Sequence, residues 1–278
     1  MGMSSADTAA YFTRISYTAP REPSLAVLRG IIAAHATSIP FENLDVLLGR
    51  GVRLDTDALV DKLVHRRRGG YCFEHNSLLL GVLAALGFEV HGLAARVLWG
   101  RREGEVRPRT HMLLRLRLPE GDFLADVGFG GVTLTAPLRF ETGAEQATPH
   151  EPHRLVAGET GGEIQLQVRL DGEWTRLYQF LPGDRQYPID YDMANWFTAT
   201  HPTSLFVSNL MAARPDADRR YALINRDFTI RPRSNSPERR MLADPTELGD
   251  VLTRYFHIPP LETADLVDIW DRIGQPRG

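Results

Sequence analysis

The sequence is poor in the features that mark several large classes of protein. Its 278 residues include one cysteine, which excludes an intramolecular disulfide, a cysteine-rich zinc site and a CxxC redox pair. No stretch approaches the roughly 20 apolar residues that a helix needs to span a bilayer. The longest apolar stretch, at 78–86, is interrupted by Gly81. The net charge of −3 argues against a general nucleic-acid binder, which needs a large basic surface.

What the sequence does contain is the material of an ordinary globular protein. Hydrophobic residues make up 43% and charged residues 24%, which is enough apolar material to exclude global disorder. The skew of basic residues to arginine, with Lys62 as the one lysine, indicates a GC-rich genome rather than a function. The first twelve residues have neither the basic start nor the apolar middle of a secretory signal, so we expect a cytoplasmic protein.

The pattern of residues predicts three successive segments rather than the two domains suggested by the length. Residues 1 to about 87 carry helical patterns, with caps at Ser24 and at 55–57 and a third helix over 72–86 that ends at Gly87. From about 88 the pattern predicts an antiparallel sheet or barrel, with strands at 90–99, 111–118, 123–127, 164–170 and 175–180. After about 190 it predicts a hairpin at 221–225 and 228–231, then helices at 246–256 and 263–273.

The single thiol lies where a glycine turn opens a helix. Cys72 follows Gly69 and Gly70 within the segment RRGGYCFEHN at 67–76. The unpaired N–H groups at a helix N-terminus favour a thiolate, and Arg67 and Arg68 would add to the positive field. A lone cysteine in an apolar helix is more often a small buried hydrophobe, but this position favours a nucleophile.

A nucleophilic cysteine needs a basic imidazole that a third polar group orients. His75 is close in sequence, but a histidine there favours a local bond along the helix surface. His111 enters a strand that can hold its ring over the sheet edge. Asp126 lies in an apolar run, where a carboxylate is costly unless it is partnered, so it is the candidate to orient His111.

The strand register leaves this pairing open. If 111–118 and 123–127 form a symmetric hairpin about 119–122, Asp126 faces Arg115, and His111 lies about 13 Å farther along. An Asp126–Arg115 ion pair is then the simple alternative. A shifted register, or a His111 that bends back from a loop, would instead bring His111 to Asp126.

Three further motifs are weaker signals. GFGG at 128–131 is either a tight turn between strands or a backbone cradle for an anion. PFENLD at 40–45 is expected to be a structural loop with Phe41 as a staple. Three large aromatic residues are expected mainly in the core: Trp99, Trp196 and Phe206.

Taken in order, these motifs resemble those of the arylamine N-acetyltransferase family, and in particular its actinobacterial or mycobacterial members. The matching stretches are IPFENLD (39–45), RRGGYCFEHN (67–76), THMLL (110–114), DVGFGG (126–131) and THPTSLF (200–206). The ordered set is highly specific, whereas the chain from 207 onward matches weakly.

The resemblance implies an α+β fold with a cysteine-protease-like catalytic core. Its parts would be a helical domain (1–87) carrying the nucleophilic cysteine, a central antiparallel β-barrel domain (88–190) carrying the histidine and aspartate, and an interdomain segment with a C-terminal α/β lid domain (191–278). The protein would be a monomer or homodimer whose partners are small molecules, not nucleic acid or membrane.

The resemblance also implies a two-step acyl transfer that uses acetyl-CoA as co-substrate and no metal. The catalytic residues would be Cys72, His111 and Asp126, which requires a contact between His111 and Asp126. The acceptor would be an arylamine, arylhydrazine or N-hydroxyarylamine. CoA would contact Thr110, Phe129, Gly130 and Gly131. The acceptor pocket would be lined by Phe41, Tyr71, Phe129 and Phe206.

Two other functions use the same residue types. A transglutaminase or papain-like hydrolase would cleave amides without CoA. A non-catalytic relative would bind CoA or planar aromatic molecules without turnover, although such a protein would tolerate losing one of the three catalytic residues.

Overall fold

The computed structural model describes residues 2–102, 104–158, 160–233 and 236–274. The expected domain ranges therefore include a few positions, among them 275–278, that lie outside the described residues. The first part of the chain is helical: α1 (Ser5–Arg14), α2 (Leu25–Ser38), α3 (Leu44–Leu47), α4 (Thr56–Leu59), which continues as a π-helical turn (Val60–His65), and α5 (Cys72–Ala85). The predicted caps are confirmed, because the side chain of Ser24 accepts from the Val27 N–H and that of Asp55 from the Ala58 N–H.

The middle of the chain forms an eight-stranded antiparallel sheet that curls into a nearly closed barrel. In spatial order its strands are β5 (Leu138–Arg139), β4 (Gly121–Ala125), β3 (Arg109–Leu118), β2 (Glu89–Val97), β9 (Glu173–Gln186), β8 (Ile164–Leu170), β7 (His153–Ala157) and β6 (Glu145–Gln146). The side-chain amide of Gln146 bridges the two edge strands, since its Oε1 accepts from the Arg139 N–H at 2.7 Å and its Nε2 donates to the Arg139 carbonyl at 2.9 Å. The hydrogen bonds of a glutamine side chain thus join β5 and β6, where the described residues of the barrel show no backbone pairing between strands.

The last part of the chain carries a second sheet and four helices. The elements are α6 (Pro188–Thr200), α7 (Leu205–Ser208), β10 (Met211–Pro215), β11 (Arg219–Ile224), β12 (Asp227–Pro232), β13 (Glu238–Met241), α8 (Pro245–Phe256) and α9 (Thr263–Gly274). The predicted hairpin and both predicted helices are confirmed. Within the described ranges, no helix is long and apolar enough to cross a bilayer.

A short strand from the helical part completes the second sheet. Strand β1 (Phe41–Glu42) pairs antiparallel with Ala213 and Ala212, so the spatial order is β1-β10-β11-β12-β13. The expectation that 40–45 is a loop is therefore wrong: it holds a strand and the start of α3. Two residues are too few for a strand pattern to appear in the sequence.

Buried side chains group into three clusters. One joins the helices to one face of β3 and β4, a second fills the barrel, and a third lies between the second sheet, α8 and α9. The prediction that Trp99 and Trp196 belong to the core is wrong, since 42% and 65% of their surface is exposed. Trp99 follows the end of β2, and Trp196 lies on the outer face of α6. Phe206 is partly buried and packs on the first cluster.

The hairpin of β3 and β4 resolves the open register. Leu118 pairs with Gly121 and Leu114 with Ala125, so the loop is two residues long and the pairing is shifted by two relative to the symmetric hairpin. The alternative of an Asp126–Arg115 ion pair is wrong, because Arg115 instead pairs with Asp122 inside the hairpin.

Candidate active site

The first turn of α5 places Cys72 at a junction where two segments approach closely. A Cβ atom on Gly69 would overlap the Pro40 carbonyl oxygen, and one on Gly70 would lie 2.7 Å from Oε2 of Glu74. The same Oε2 accepts from the Tyr71 N–H at 3.0 Å, which ties down the residue before the cysteine. Cys72 begins the helix and is buried. The sequence prediction that a glycine turn opens the cysteine helix is confirmed.

His111 and Asp126 form a buried pair beside this thiol. Nε2 of His111 lies 2.7 Å from Oδ2 of Asp126, and both side chains are almost fully buried. Sγ of Cys72 lies 3.6 Å from the carbonyl oxygen of Thr110, the residue directly before His111. Because Nε2 of His111 faces the carboxylate, Nδ1 is the ring nitrogen left for the thiol. The structure thus brings together the three residues predicted as catalytic.

The charges of this group stabilise one another. Burial alone would lower the pKa of His111, but the Asp126 charge and hydrogen bond, with a contribution from Cys72, raise it to about 10. Burial would raise the pKa of Asp126, but the His111 charge and hydrogen bonds from His111, Asn76 and the Gly128 N–H hold it below its usual value. The imidazole is therefore kept as a cation next to the sulfur of Cys72.

Asn76 supports the aspartate, and the sequence reasoning missed it. Its Nδ2 donates to Oδ1 of Asp126 at 3.0 Å and to the Met112 carbonyl at 2.7 Å, while its Oδ1 accepts from the Val127 N–H at 3.2 Å. Asn76 lies four residues after Cys72 and shares its face of α5. The signal in the sequence is a polar asparagine in a largely apolar helix, four residues after the cysteine and so on the same face.

Gly128 allows the loop after β4 to touch the cysteine helix. A Cβ atom there would lie 2.7 Å from Cα of Cys72, 3.0 Å from its carbonyl oxygen and 2.9 Å from Nδ2 of Asn76. The Gly128 N–H also donates to Oδ1 of Asp126 at 2.9 Å. This glycine therefore sets how closely the aspartate loop approaches the thiol.

Neighbouring carboxylates compensate the positive field expected from Arg68. Its guanidinium pairs with Glu42 at 2.9 Å and with Asp45 at 3.3 Å. Lys62 pairs with Asp45 and Glu74, both at 2.7 Å. This buried cluster at the start of α5 contains two cations and three carboxylates, so it holds the helix start in place rather than adding net positive charge.

His75 belongs to a separate buried chain of hydrogen bonds. Nε2 of His75 lies 3.1 Å from the Pro40 carbonyl, its Nδ1 lies 2.8 Å from Nε2 of His35, and Nδ1 of His35 lies 2.8 Å from the Tyr11 hydroxyl. Since a carbonyl only accepts, Nε2 of His75 donates to Pro40, and with both rings neutral every donor in the chain points toward Pro40. Burial lowers the pKa of His75 to about 4, in agreement with that state. The expected local helix bond of His75 is wrong, because its partners are distant in sequence.

Aromatic side chains predicted for the acceptor pocket form one group near the thiol. The Phe206 ring lies 6.1 Å from the Phe41 ring and 5.6 Å from the Tyr71 ring, measured between centroids. Phe129 packs elsewhere, edge-on against His111 at 5.2 Å. Phe41 also borders Gly130, since a Cβ there would lie 3.5 Å from its ring. Three of the four predicted residues therefore meet, and the fourth lies over the histidine.

The GFGG loop combines a turn with an open surface. Gly130 has a positive φ of 86°, which other residues rarely adopt, and its carbonyl accepts from the Thr133 N–H. Gly131 is exposed, and a Cβ added there would meet nothing within 4 Å. The turn interpretation of this loop is confirmed, and Gly131 lies on open surface.

Tyr178 is a second residue that sequence reasoning missed. Its ring lies 4.8 Å from the His111 ring and 5.4 Å from the Phe129 ring. Burial and the nearby Asp126 charge raise the pKa of Tyr178 well above its usual value, which keeps the hydroxyl neutral. No motif marked this residue, since it lies in the middle of a barrel strand. Among the described residues, no group of three or more histidine, cysteine, aspartate or glutamate side chains is arranged to hold a metal.

Known proteins share both the sequence and the fold. A family model described as N-acetyltransferase matches residues 24–265. An arylamine N-acetyltransferase of Mycobacterium tuberculosis is 46% identical over 256 residues, 91% of this chain and 89% of the relative. An arylamine N-acetyltransferase / N-hydroxyarylamine O-acetyltransferase of Salmonella typhimurium is 40% identical, over 89% and 87% of the two chains.

A solved structure agrees with these matches. The Mycobacterium marinum arylamine N-acetyltransferase in complex with CoA superimposes with a TM-score of 0.89 at 43% identity, covering 96% of this chain and 98% of the other. The chain therefore shares its amino-acid sequence with these proteins over nearly its whole length, and not only its fold. This chain belongs to the arylamine N-acetyltransferase family.

Proposed function

We propose that this chain transfers an acetyl group from acetyl-CoA to arylamines through an acetyl-Cys72 thioester. The observation that carries the proposal is the buried arrangement of Cys72, His111 and Asp126, in which Nε2 of His111 lies 2.7 Å from the carboxylate. The names of the relatives and the CoA complex of the Mycobacterium marinum protein support the donor and the acceptor class.

In the first step, the Cys72 thiolate attacks the carbonyl carbon of the acetyl-CoA thioester. A new carbon–sulfur bond forms to Cys72, the bond to the CoA sulfur breaks, and the departing thiolate takes a proton from His111. The backbone N–H groups at the start of α5 stabilise the oxyanion that develops on the carbonyl oxygen. Free CoA then leaves the acetylated enzyme, in which His111 is neutral and Asp126 is still ionised.

In the second step, the acceptor nitrogen attacks the carbonyl carbon of acetyl-Cys72. His111, now neutral, takes the proton from the amine, and the Cys72 thiolate leaves, which restores the starting ion pair. Asp126 holds the imidazole in one orientation and stabilises its charged form. Arylhydrazines follow the same step. N-hydroxyarylamines are a further acceptor class, supported by the name of the Salmonella relative.

The contacts of both substrates are part of the proposal. CoA would bind at the open surface beside Gly131, with contacts to Thr110, Phe129 and Gly130. The acceptor ring would lie against Phe41, Tyr71 and Phe206, with Phe129 over the histidine. The proximity of Gly130 to the Phe41 ring supports a shared entrance for donor and acceptor.

The division of the chain into three domains is also part of the proposal. The order of helices and strands along the chain supports a helical domain over 1–87, a barrel domain over 88–190, and an interdomain segment with an α/β lid domain over 191–278. A thiol on the helical domain that faces a histidine and an aspartate on the barrel is the arrangement of a cysteine-protease-like core. The cytoplasmic location and the monomeric or homodimeric state remain predictions.

Intact-protein mass spectrometry tests the covalent step. The protein should gain the mass of one acetyl group on mixing with acetyl-CoA and lose it on adding an anisidine, while acetylanisidine forms. Cys72→Ala should do neither and should retain the wild-type circular dichroism spectrum. Acetylanisidine formed by the alanine variant would show that Cys72 is not the nucleophile. Acetyl-CoA hydrolysis or amide cleavage without transfer would favour a hydrolase, and binding without any mass gain would favour a non-catalytic relative.

A further inference from the structure

Asn43 uses its side chain in an unusual way for its position. It is the residue before α3, where an asparagine normally caps the first N–H groups of the helix. Its side chain makes no such cap, because Oε2 of the buried Glu42 accepts from the Leu44 N–H at 2.7 Å. The Asn43 amide is therefore free to serve another segment.

That segment is residues 206–211, which run from within α7 to the first residue of β10. Nδ2 of Asn43 donates to the carbonyls of Phe206 and Asn209, each at 2.7 Å, and Oδ1 accepts from the Met211 N–H at 2.7 Å. The side chain is 2% exposed. Three short hydrogen bonds from one buried amide to three backbone groups fix the path of this segment.

The amide also connects two of the proposed acceptor walls. Asn43 follows Phe41 by two residues and binds the carbonyl of Phe206 itself. The two rings lie 6.1 Å apart, and Phe206 packs edge-on against Tyr71 at 5.6 Å. The distance between Phe41 and Phe206 thus depends on a bond that the Asn43 side chain makes.

We propose that Asn43 is a positioning residue that sets the aromatic walls of the acceptor pocket and thereby the affinity for ring-bearing acceptors. This inference rests on the proposed function. It predicts an effect on the second step of the transfer only, because the Asn43 amide contacts neither Cys72 nor its buried partners among the described hydrogen bonds.

A second asparagine provides a matched control. Oδ1 of Asn225 accepts from the Leu210 N–H and its Nδ2 donates to Oδ1 of Asn209, both at 3.0 Å, so it holds the same segment without binding Phe206. Asn225 has a positive φ of 55°, which glycine adopts freely. Asn225→Gly removes these two hydrogen bonds without straining the backbone.

The experiment measures the two half-reactions separately in Asn43→Ala, Asn43→Asp, Asn225→Gly and the wild type. Acetylation of Cys72 by acetyl-CoA is followed by mass spectrometry, and transfer is followed with anisidine and with hydrazine, which has no ring. For both Asn43 variants we expect KM for anisidine to rise about tenfold, KM for hydrazine to change less than about twofold, and the Cys72 acetylation rate to stay within about twofold. Asn225→Gly should leave the KM for anisidine within about twofold of the wild type.

Other outcomes would refute either the role of Asn43 or the proposed function, and the two cases can be told apart. An unchanged KM for anisidine in variants that still acetylate Cys72 would overturn the role of Asn43 and leave the proposed function intact. An equal rise in KM in Asn225→Gly would show that any loosening of the segment suffices, and would also overturn it. A wild type that forms no acetyl-Cys72 would instead refute the proposed function. If Asn43→Ala does not fold, Asn43→Asp decides, since its carboxylate can still accept from the Met211 N–H and loses the two bonds to carbonyls.

Discussion

Replacing Gly128 with alanine should damage the site by a steric effect that can be worked out from the structure. The added Cβ atom would lie 2.7 Å from Cα of Cys72 and 3.0 Å from its carbonyl oxygen. Unbonded carbon atoms pack at about 3.5–4.0 Å, so the loop after β4 would have to move by about 0.8 Å or more. The obstructing atoms are backbone atoms of a buried helix, which cannot rotate away.

Two quantities follow from that displacement. Overpacking a well-packed interior costs about 1–3 kcal/mol, so the free energy of unfolding should fall by that amount. The same movement carries Asp126, whose Oδ1 accepts from the Gly128 N–H, away from its position behind His111. Because a misplacement of about 1 Å near a reacting centre costs about a hundredfold in rate, Cys72 acetylation should slow by about that factor.

The assay combines urea unfolding with the rate of Cys72 acetylation by mass spectrometry. Gly183→Ala is the matched control, since a Cβ at Gly183 meets nothing within 4 Å and the position lies in strand β9, outside the site. Its free energy of unfolding should change by less than about 0.5 kcal/mol, and its acetylation rate should be that of the wild type. If Gly128→Ala behaved like this control in both measurements, the argument from close approach would be refuted.

Three further predictions concern the residues around the thiol. The pKa of His111 is raised to about 10 from an ordinary 6.5, so the contribution of this residue to the free energy of unfolding is complete below about pH 6.5 and is lost as the pH rises through about 10. The urea midpoint of unfolding should therefore fall between about pH 7 and 10.5. The fall should be smaller in Asp126→Asn. Tyr178→Phe should lower the free energy of unfolding by no more than about 1.5 kcal/mol, because the buried hydroxyl lies beside the Asp126 carboxylate without a well-aligned hydrogen bond among the described residues; a loss of several kcal/mol in calorimetry would contradict this. Iodoacetamide should alkylate Cys72 near neutral pH faster than it alkylates a model thiol, since the sulfur lies beside the His111 cation; equal rates would contradict the role of His111 in activating the nucleophile.

Local elements were predictable because their signals are local. The caps at Ser24 and Asp55 each involve hydrogen bonds within three residues, and their helices begin where the sequence indicates. The turn at Asp171 and Gly172 has the positive φ angles, 50° and 88°, that this pair of residues predicts. Strands with alternating residues, such as 111–118, were recognised from two-residue periodicity within a residue or two of their ends.

Predictions that depended on the whole fold were less successful. The exposure of Trp99 and Trp196 depends on which faces other elements cover, and no local pattern records that. Strand β1 exists because β10, about 170 residues later, pairs with it. Asn43 and Asn76 escaped notice for the same reason, since their partners are backbone groups from distant segments.

The amino-acid residues and their spacing define the chemistry available to this protein: one thiol at the start of a helix, a histidine on a strand, an aspartate in an apolar run, and the ordered motifs of a family. That these groups lie in contact is a property of the tertiary structure. A two-residue hairpin loop shifts the strand register by two, and Gly128 lets the aspartate loop approach the cysteine helix. Helix and strand patterns depend on a few neighbouring residues and can be read locally. Contacts between distant segments depend on strand register and close packing, which are properties of the folded chain as a whole.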